Sequence, residues 1–317
     1  MAEHDDGVAV DLLLAEADRA RTGTVTDSAT WAAVVGVERV SLVAGTQDAA
    51  RLRLLLQGHA EDDVLTEVHL ARERVRDALV RSAQQRGPDS GVAHREAGHH
   101  SVTTDAVRLR AALRAAHRTF ETEPYYRARY AARGARFAGT DSAWLVTLAE
   151  LPRDGCLGQV DWLARVLAAR GMPSWLLERH LEDLVDELEG VLGAGSAGYL
   201  GAAATALRSR RRDVASDEEL LAAPARLREA SGGLEPLPGA ASLVVAAAAD
   251  AANGVTAGYE ACVGWLTDPA RCDPRVAAWL RHEAATVAPA IGLGVGVRVG
   301  ARVSAGRSRA GSPARRS

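Results

Sequence analysis

Lysine is absent from all 317 residues, so every one of the 38 basic side chains is an arginine. A chain without lysine has no Schiff-base amine, no Walker lysine and no lysine general base, which excludes P-loop phosphate chemistry and internal pyridoxal chemistry. Isoleucine and asparagine occur once each, as Ile291 and Asn253, a bias that matches GC-rich codons for arginine, alanine and glycine. Cysteine is nearly as scarce. Cys156, Cys262 and Cys272 are odd in number and widely spaced, which fits neither a disulfide framework nor a zinc site and implies a reducing, cytoplasmic setting. No apolar run approaches the roughly eighteen residues of a membrane-spanning helix. The segment Met1 to Asp6 is acidic and precedes only a short amphipathic stretch, which argues against a signal peptide.

What is present is helical periodicity on a composition that is 47% hydrophobic, ample for a core. Between Glu61 and Arg81 the apolar positions recur at spacings of three and four, and Gly58 suits the left-handed turn that closes the preceding helix. Pro124 suits the first position of a helix that stops at Gly134, and Thr140, Asp141 and Ser142 offer cap oxygens to a further helix through Trp144. Gly171 and Pro173 read as a stop and a start. From Ser174 a leucine stripe faces six carboxylates, among them Glu178, Glu182 and Asp183, which reads as a buried face opposite a solvated one.

The expected fold is therefore all-α, a helical bundle or stack of helices with a flexible Gly/Arg-rich C-terminal tail. Its expected parts are an N-terminal helical segment (1–85), a linker (86–104), a central aromatic-rich module (105–192), a loop or linker (193–216), C-terminal alanine-rich helices (217–290) and a basic tail (291–317). From Arg298 onward the tail has six arginines and no acid, leaving the rest of the chain near −9 against −3 overall. It lacks the interleaved aromatics of a nucleic-acid stacking platform. Its alternating Val and Gly positions would suit a docking strand.

Familiar catalytic constellations fail on context. Gly193, Gly195 and Gly198 spell a dinucleotide fingerprint, but an acidic helix precedes them where a strand is required. Ser196 fails as a nucleophile elbow for the same reason. His94, Glu96, His99 and His100 cluster in the glycine-containing linker and match no zinc spacing. No catalytic residue and no metal ligand set is assigned.

Eight of the thirteen aromatic residues fall between Phe120 and Trp175, and this is where a recognition site is expected. Tyr126 and Tyr130 lie four apart on one helix face, with Arg129 and Arg133 four apart on a neighbouring face. Hydroxyls and guanidinium forks so placed suit an anionic or planar aromatic ligand. Trp144 and His180 complete the expected ligand-binding set. His180 sits at the edge of the leucine stripe, where a single axial histidine could hold haem; His117 is a weaker candidate. Tyr130, Arg133, Gly134, Phe137, Asp141, Trp144, Leu145, Val160, Trp162, Leu163, Leu167, Arg170, Gly171 and Pro173 together resemble an all-helical, globin-like module of uncharacterised bacterial sensory or regulatory proteins. The resemblance spans 120–192, implies a sensing or interaction role, and transfers no catalytic residue. The expected function is a non-enzymatic regulatory or sensor-like protein binding a small molecule, with a tetrapyrrole the sharpest version, or a protein partner, with homo-oligomerisation left open. Two alternatives stand beside it: a helical enzyme acting on a small hydrophobic or anionic metabolite, and an assembly protein docking through its tail.

Overall fold

The computed structural model describes residues 2–18, 23–83, 87–93, 100–235 and 237–289. The described chain is all-α and carries no strand, only isolated bridges pairing Thr24 with Asp105 and Asp89 with Ser101. The basic tail and the histidines at 94 and 99 lie outside the described residues. Among the described residues no helix is long and apolar enough to cross a membrane.

Three buried clusters organise the helices. The first is built from α1 (Ala2–Asp18), α2 (Ser28–Ala44), α3 (Ala49–Leu56), α4 (Asp62–Ala83) and the single turn α5 (Ser90–Ala93). Trp31 is fully buried at its centre, and its indole N–H donates to the Thr103 carbonyl at 2.8 Å, tying α2 to the segment that leads into α6 (Ala106–Thr122). The second cluster gathers α6, the end of α7 (Pro124–Leu145), a 3-10 turn (Val146–Glu150), α8 (Arg153–Ala169), α9 (Ser174–Leu192) and α10 (Leu200–Arg212). The third joins α11 (Asp217–Ser231), α12 (Ala240–Ala252), α13 (Thr256–Leu266) and α14 (Pro274–Val287) to Tyr125 and Leu176. Alanine makes α12 narrow enough to be buried almost all round. The sheer number of alanines there lets three neighbours approach one helix closely.

Two sequence expectations are corrected. Residues 193–216 are not a linker throughout, because α10 buries Leu200, Ala203, Ala204 and Leu207 against α8 and α9. The helix leaves two short loops, 193–199 and 213–216, and Gly193 takes a positive φ at the cap that closes α9. The second correction concerns α7, which does not stop at Gly134 and is not re-capped at residues 140–142. Thr140 and Ser142 return their hydroxyls to the helix's own carbonyls, at Phe137 (2.8 Å) and Ala138 (2.7 Å), the local competition that bends helices without ending them.

The break in α7 falls instead at Ala131, whose φ of 48° and ψ of −151° lie in a region favouring glycine. This kink redirects the helix between Tyr130 and Arg133. Gly134 follows from it, since a Cβ there would collide with the Tyr130 Cβ and press on the Phe120 ring. Ala131→Gly is expected to raise stability by about 1 kcal/mol by relieving the strained backbone. Were 131 ordinary helix, the same change would lower stability by about as much. The sign of the shift in urea midpoint decides between them.

Candidate functional site

Four helices each turn one face toward a common cavity of about 540 Å³, within the usual size range of small-molecule sites. From α7 come Tyr126, Tyr130, Arg133, Phe137, Asp141 and Leu145, with Gly134 and Ala138 between them, at steps of three and four residues. From α6 come Ala116, Thr119 and Phe120; from α8, Leu163 and Leu167, with Arg170 just beyond its end; from α9, Leu177 and His180. Met172 closes the α8–α9 corner. Ten of the seventeen lining residues are apolar, and seven bring polar groups to the cavity.

An aromatic wall lines one side. The Phe120 and Tyr126 rings stack with centroids 6.0 Å apart, and Tyr130 tilts against Tyr126 at 6.3 Å. The Tyr130 hydroxyl donates to the Arg170 carbonyl at 3.0 Å, so the end of α8 is held to α7. Burial raises the Tyr126 and Tyr130 phenols above their ordinary range, which keeps both neutral.

His180 is buried, and both ring nitrogens face hydroxyls: Nδ1 meets Thr119 Oγ1 at 2.9 Å and Nε2 meets Ser142 Oγ at 2.8 Å. Thr119 Oγ1 also donates to Asp183 at 2.8 Å. With the Thr119 hydroxyl proton on Asp183 and the Ser142 proton on the Ala138 carbonyl, both oxygens present lone pairs to the ring, and the neutral imidazole donates to one of them. Burial pushes the imidazole down to about 4 despite the Asp183 charge, so the ring is neutral near pH 7. Haem fits this arrangement poorly. An iron at Nε2 would have to displace Ser142, leaving a fully buried hydroxyl with only the Ala138 carbonyl. Ser142 lies off the cavity lining and is not an accessible nucleophile.

Asp141, expected from the sequence as a helix cap, sits instead within α7. Mid-helix and partly buried, it lines the cavity and makes no hydrogen bond or ion pair to any described residue. Desolvation raises its carboxyl to about 6, and the Arg170 charge lowers it less than burial raises it. The Tyr126 hydroxyl likewise has no hydrogen-bond partner among the described residues; burial, and after it the Glu123 charge, raise its phenol.

The expected site set divides. Tyr126, Tyr130, Arg133 and His180 line the cavity together, with the exposed Arg133 guanidinium over the Phe137 ring at 5.5 Å. Arg129 lies behind the wall. Its guanidinium donates to the buried Tyr125 hydroxyl and sits 5.3–5.6 Å from the Tyr125, Tyr130 and Trp265 ring centroids, a packing role. Trp144 also turns away, edge to face with Trp162 at 6.1 Å. His117 lines a smaller cavity of about 190 Å³ on the other side of Phe120, with Arg39, Glu67 and Arg136. Among the described residues no group of three or more His, Cys, Asp or Glu side chains is placed to hold a metal ion.

The acidic face of α9 is not simply solvated. Glu178 is 2% exposed and meets Arg208 Nε at 2.9 Å and Arg211 Nη2 at 3.0 Å on α10, while Glu187 pairs with Arg114 and Arg118 on α6. Asp250 of α12 caps the other end by accepting from the Ser174 backbone N–H at 2.7 Å and from its hydroxyl, where the positive end of the helix dipole favours a carboxylate. These contacts fix α9, and hence His180 and Leu177, against the other walls.

Compared with protein-family models, with curated proteins and with solved structures, the chain shows no match.

Proposed function

We propose that the protein is a non-enzymatic, sensor-like helical protein that binds one small, largely apolar molecule between α6, α7, α8 and α9. The observation that carries this reading is the cavity of about 540 Å³, walled by aromatic and aliphatic side chains, with polar groups converging on it from three helices. A sensing role is supported by the composition of the walls. They meet at the Ala131 kink and the α8–α9 corner, two places where a bound molecule can bias how the three clusters pack. The Ser142–His180 pair adds no enzymatic argument, because its hydroxyl is closed off from the cavity.

The test is calorimetry with three probes of one shape: 1-naphthylmethylammonium, 1-naphthalenemethanol and 1-naphthylacetate. At least one is expected to bind one-to-one with a Kd on the order of 100 μM, as the size of such ligands allows. Ala138→Trp, which fills the cavity from α7, is expected to weaken that binding about tenfold or more while circular dichroism stays unchanged. Failure of all three probes, or binding indifferent to the Trp, ends this reading.

A further inference from the structure

We propose that the cavity selects a cationic amine with an apolar, ring-bearing body, its ammonium held by the Asp141 carboxylate and the Tyr126 hydroxyl against the faces of Phe120, Tyr126 and Tyr130. This rests on the reading of the cavity as a binding site and adds the ligand's chemical class.

Of the polar groups on the lining, most are already matched within the protein. His180 has a hydroxyl at each nitrogen, Thr119 donates to Asp183, and the Tyr130 hydroxyl donates to the Arg170 carbonyl. Asp141 and Tyr126 are different: neither has a hydrogen-bond or ion-pair partner among the described residues, both line the cavity, and burial disfavours the charged form of each. Both groups open on the same cavity, and each can accept from an N–H-bearing cation.

The protein's own cations do not neutralise this carboxylate. Arg170 is exposed at the rim and forms no ion pair with Asp141; the net effect on the carboxyl is upward, so burial outweighs the guanidinium. Arg133 is exposed and stacked over Phe137. Arg129 is committed to Tyr125 and three aromatic rings behind the wall. His180 is neutral. With its carboxyl near 6, Asp141 is mostly ionised at neutral pH, a negative charge in a mostly apolar chamber. The stacked rings complete the site, because aromatic faces attract a cation and not an anion.

The same three naphthyl probes separate the outcomes. At pH 7.5 the ammonium is expected to bind about tenfold or more tightly than the alcohol and the carboxylate, which an added charge-assisted hydrogen bond supplies. In Asp141→Asn this preference is expected to collapse, with the alcohol's affinity kept within about threefold; Tyr126→Phe is expected to weaken the ammonium by about three- to tenfold. Equal or tighter binding of the carboxylate would overturn the amine assignment while leaving the cavity a binding site. An ammonium preference that survives in Asp141→Asn would overturn the role of Asp141. No binding by any probe would remove both readings together.

Discussion

Glu178→Ala is expected to lower stability by about 3–5 kcal/mol, the range seen when one partner of a buried ion pair is removed. The loss arises because the arginines stay. Arg211 is 4% exposed and donates to Glu178 at 3.0 and 3.1 Å, with Asp217 and the Ala215 carbonyl as its remaining partners. Without Glu178 its charge is left in the α9–α10–α11 junction under-compensated. Glu182 lies one turn on, pairs with Arg208 and is 45% exposed at its side chain, so Glu182→Ala is expected to cost about 0–1 kcal/mol. Chemical denaturation of both variants checks the contrast. Equal, small losses would mean that the junction admits enough water to treat Glu178 as a surface residue. Glu178→Leu combined with Arg211→Met is expected to recover most of the loss, since no buried charge remains unpaired.

Glu178 and Glu182 also show where sequence reading stops. Helical periodicity separates the leucine stripe of α9 from its acidic side, and that separation holds for Leu177, Leu181, Leu184 and Leu188. It cannot tell which carboxylate meets a neighbouring helix, because that depends on where α10 docks. α10 itself was hidden by glycines at its start and by Arg210, Arg211 and Arg212 at its end. Its buried positions Leu200, Ala203, Ala204 and Leu207 nonetheless keep the helical spacing.

The site was legible in part for a similar reason. Tyr126 and Tyr130 share a face at a spacing of four, and their place on the cavity follows from that. The same series continues through Arg133, Phe137, Asp141 and Leu145 if the helix is read as unbroken. Treating Gly134 as a stop and Asp141 as a cap cut the series in two and hid the carboxylate. The actual break, at Ala131, carries no glycine or proline and leaves no local signal. Arg129 and Trp144 show the converse limit: a residue beside a site in sequence is aimed by the rotation of its helix, here toward Trp265 and Trp162.

Asp141→Asn is expected to make the protein more stable than the wild type at pH 7.5, by about 1–3 kcal/mol. The sign follows from the direction of the shift. The carboxyl sits near 6 in the folded protein against an ordinary value near 4, so between those pH values the folded state binds more protons than the unfolded state. Stability contributed by this group therefore falls as pH rises through that window, and the deficit is complete above about 6. Asparagine carries no charge at any pH and removes the deficit, so the two proteins are expected to converge as pH falls toward 4. His180 acts in the opposite sense: its pKa is lowered to about 4, so stability is lost as pH falls from about 6.5. That loss is common to both proteins and largely cancels in their difference. The other polar groups on the cavity lining are Arg170 beyond α8, Thr119 on α6, and Tyr126, Tyr130 and Arg133 on the same helix as Asp141, and burial moves both tyrosine phenols upward, away from this window. Urea denaturation at pH 7.5, 6, 5 and 4 measures the gap directly. A variant less stable than wild type at pH 7.5 would mean that the fold already compensates the carboxylate and has no use for a ligand's cation. A gap of the expected sign makes Asp141 a residue the fold would be better without, which is the signature of a side chain held for binding.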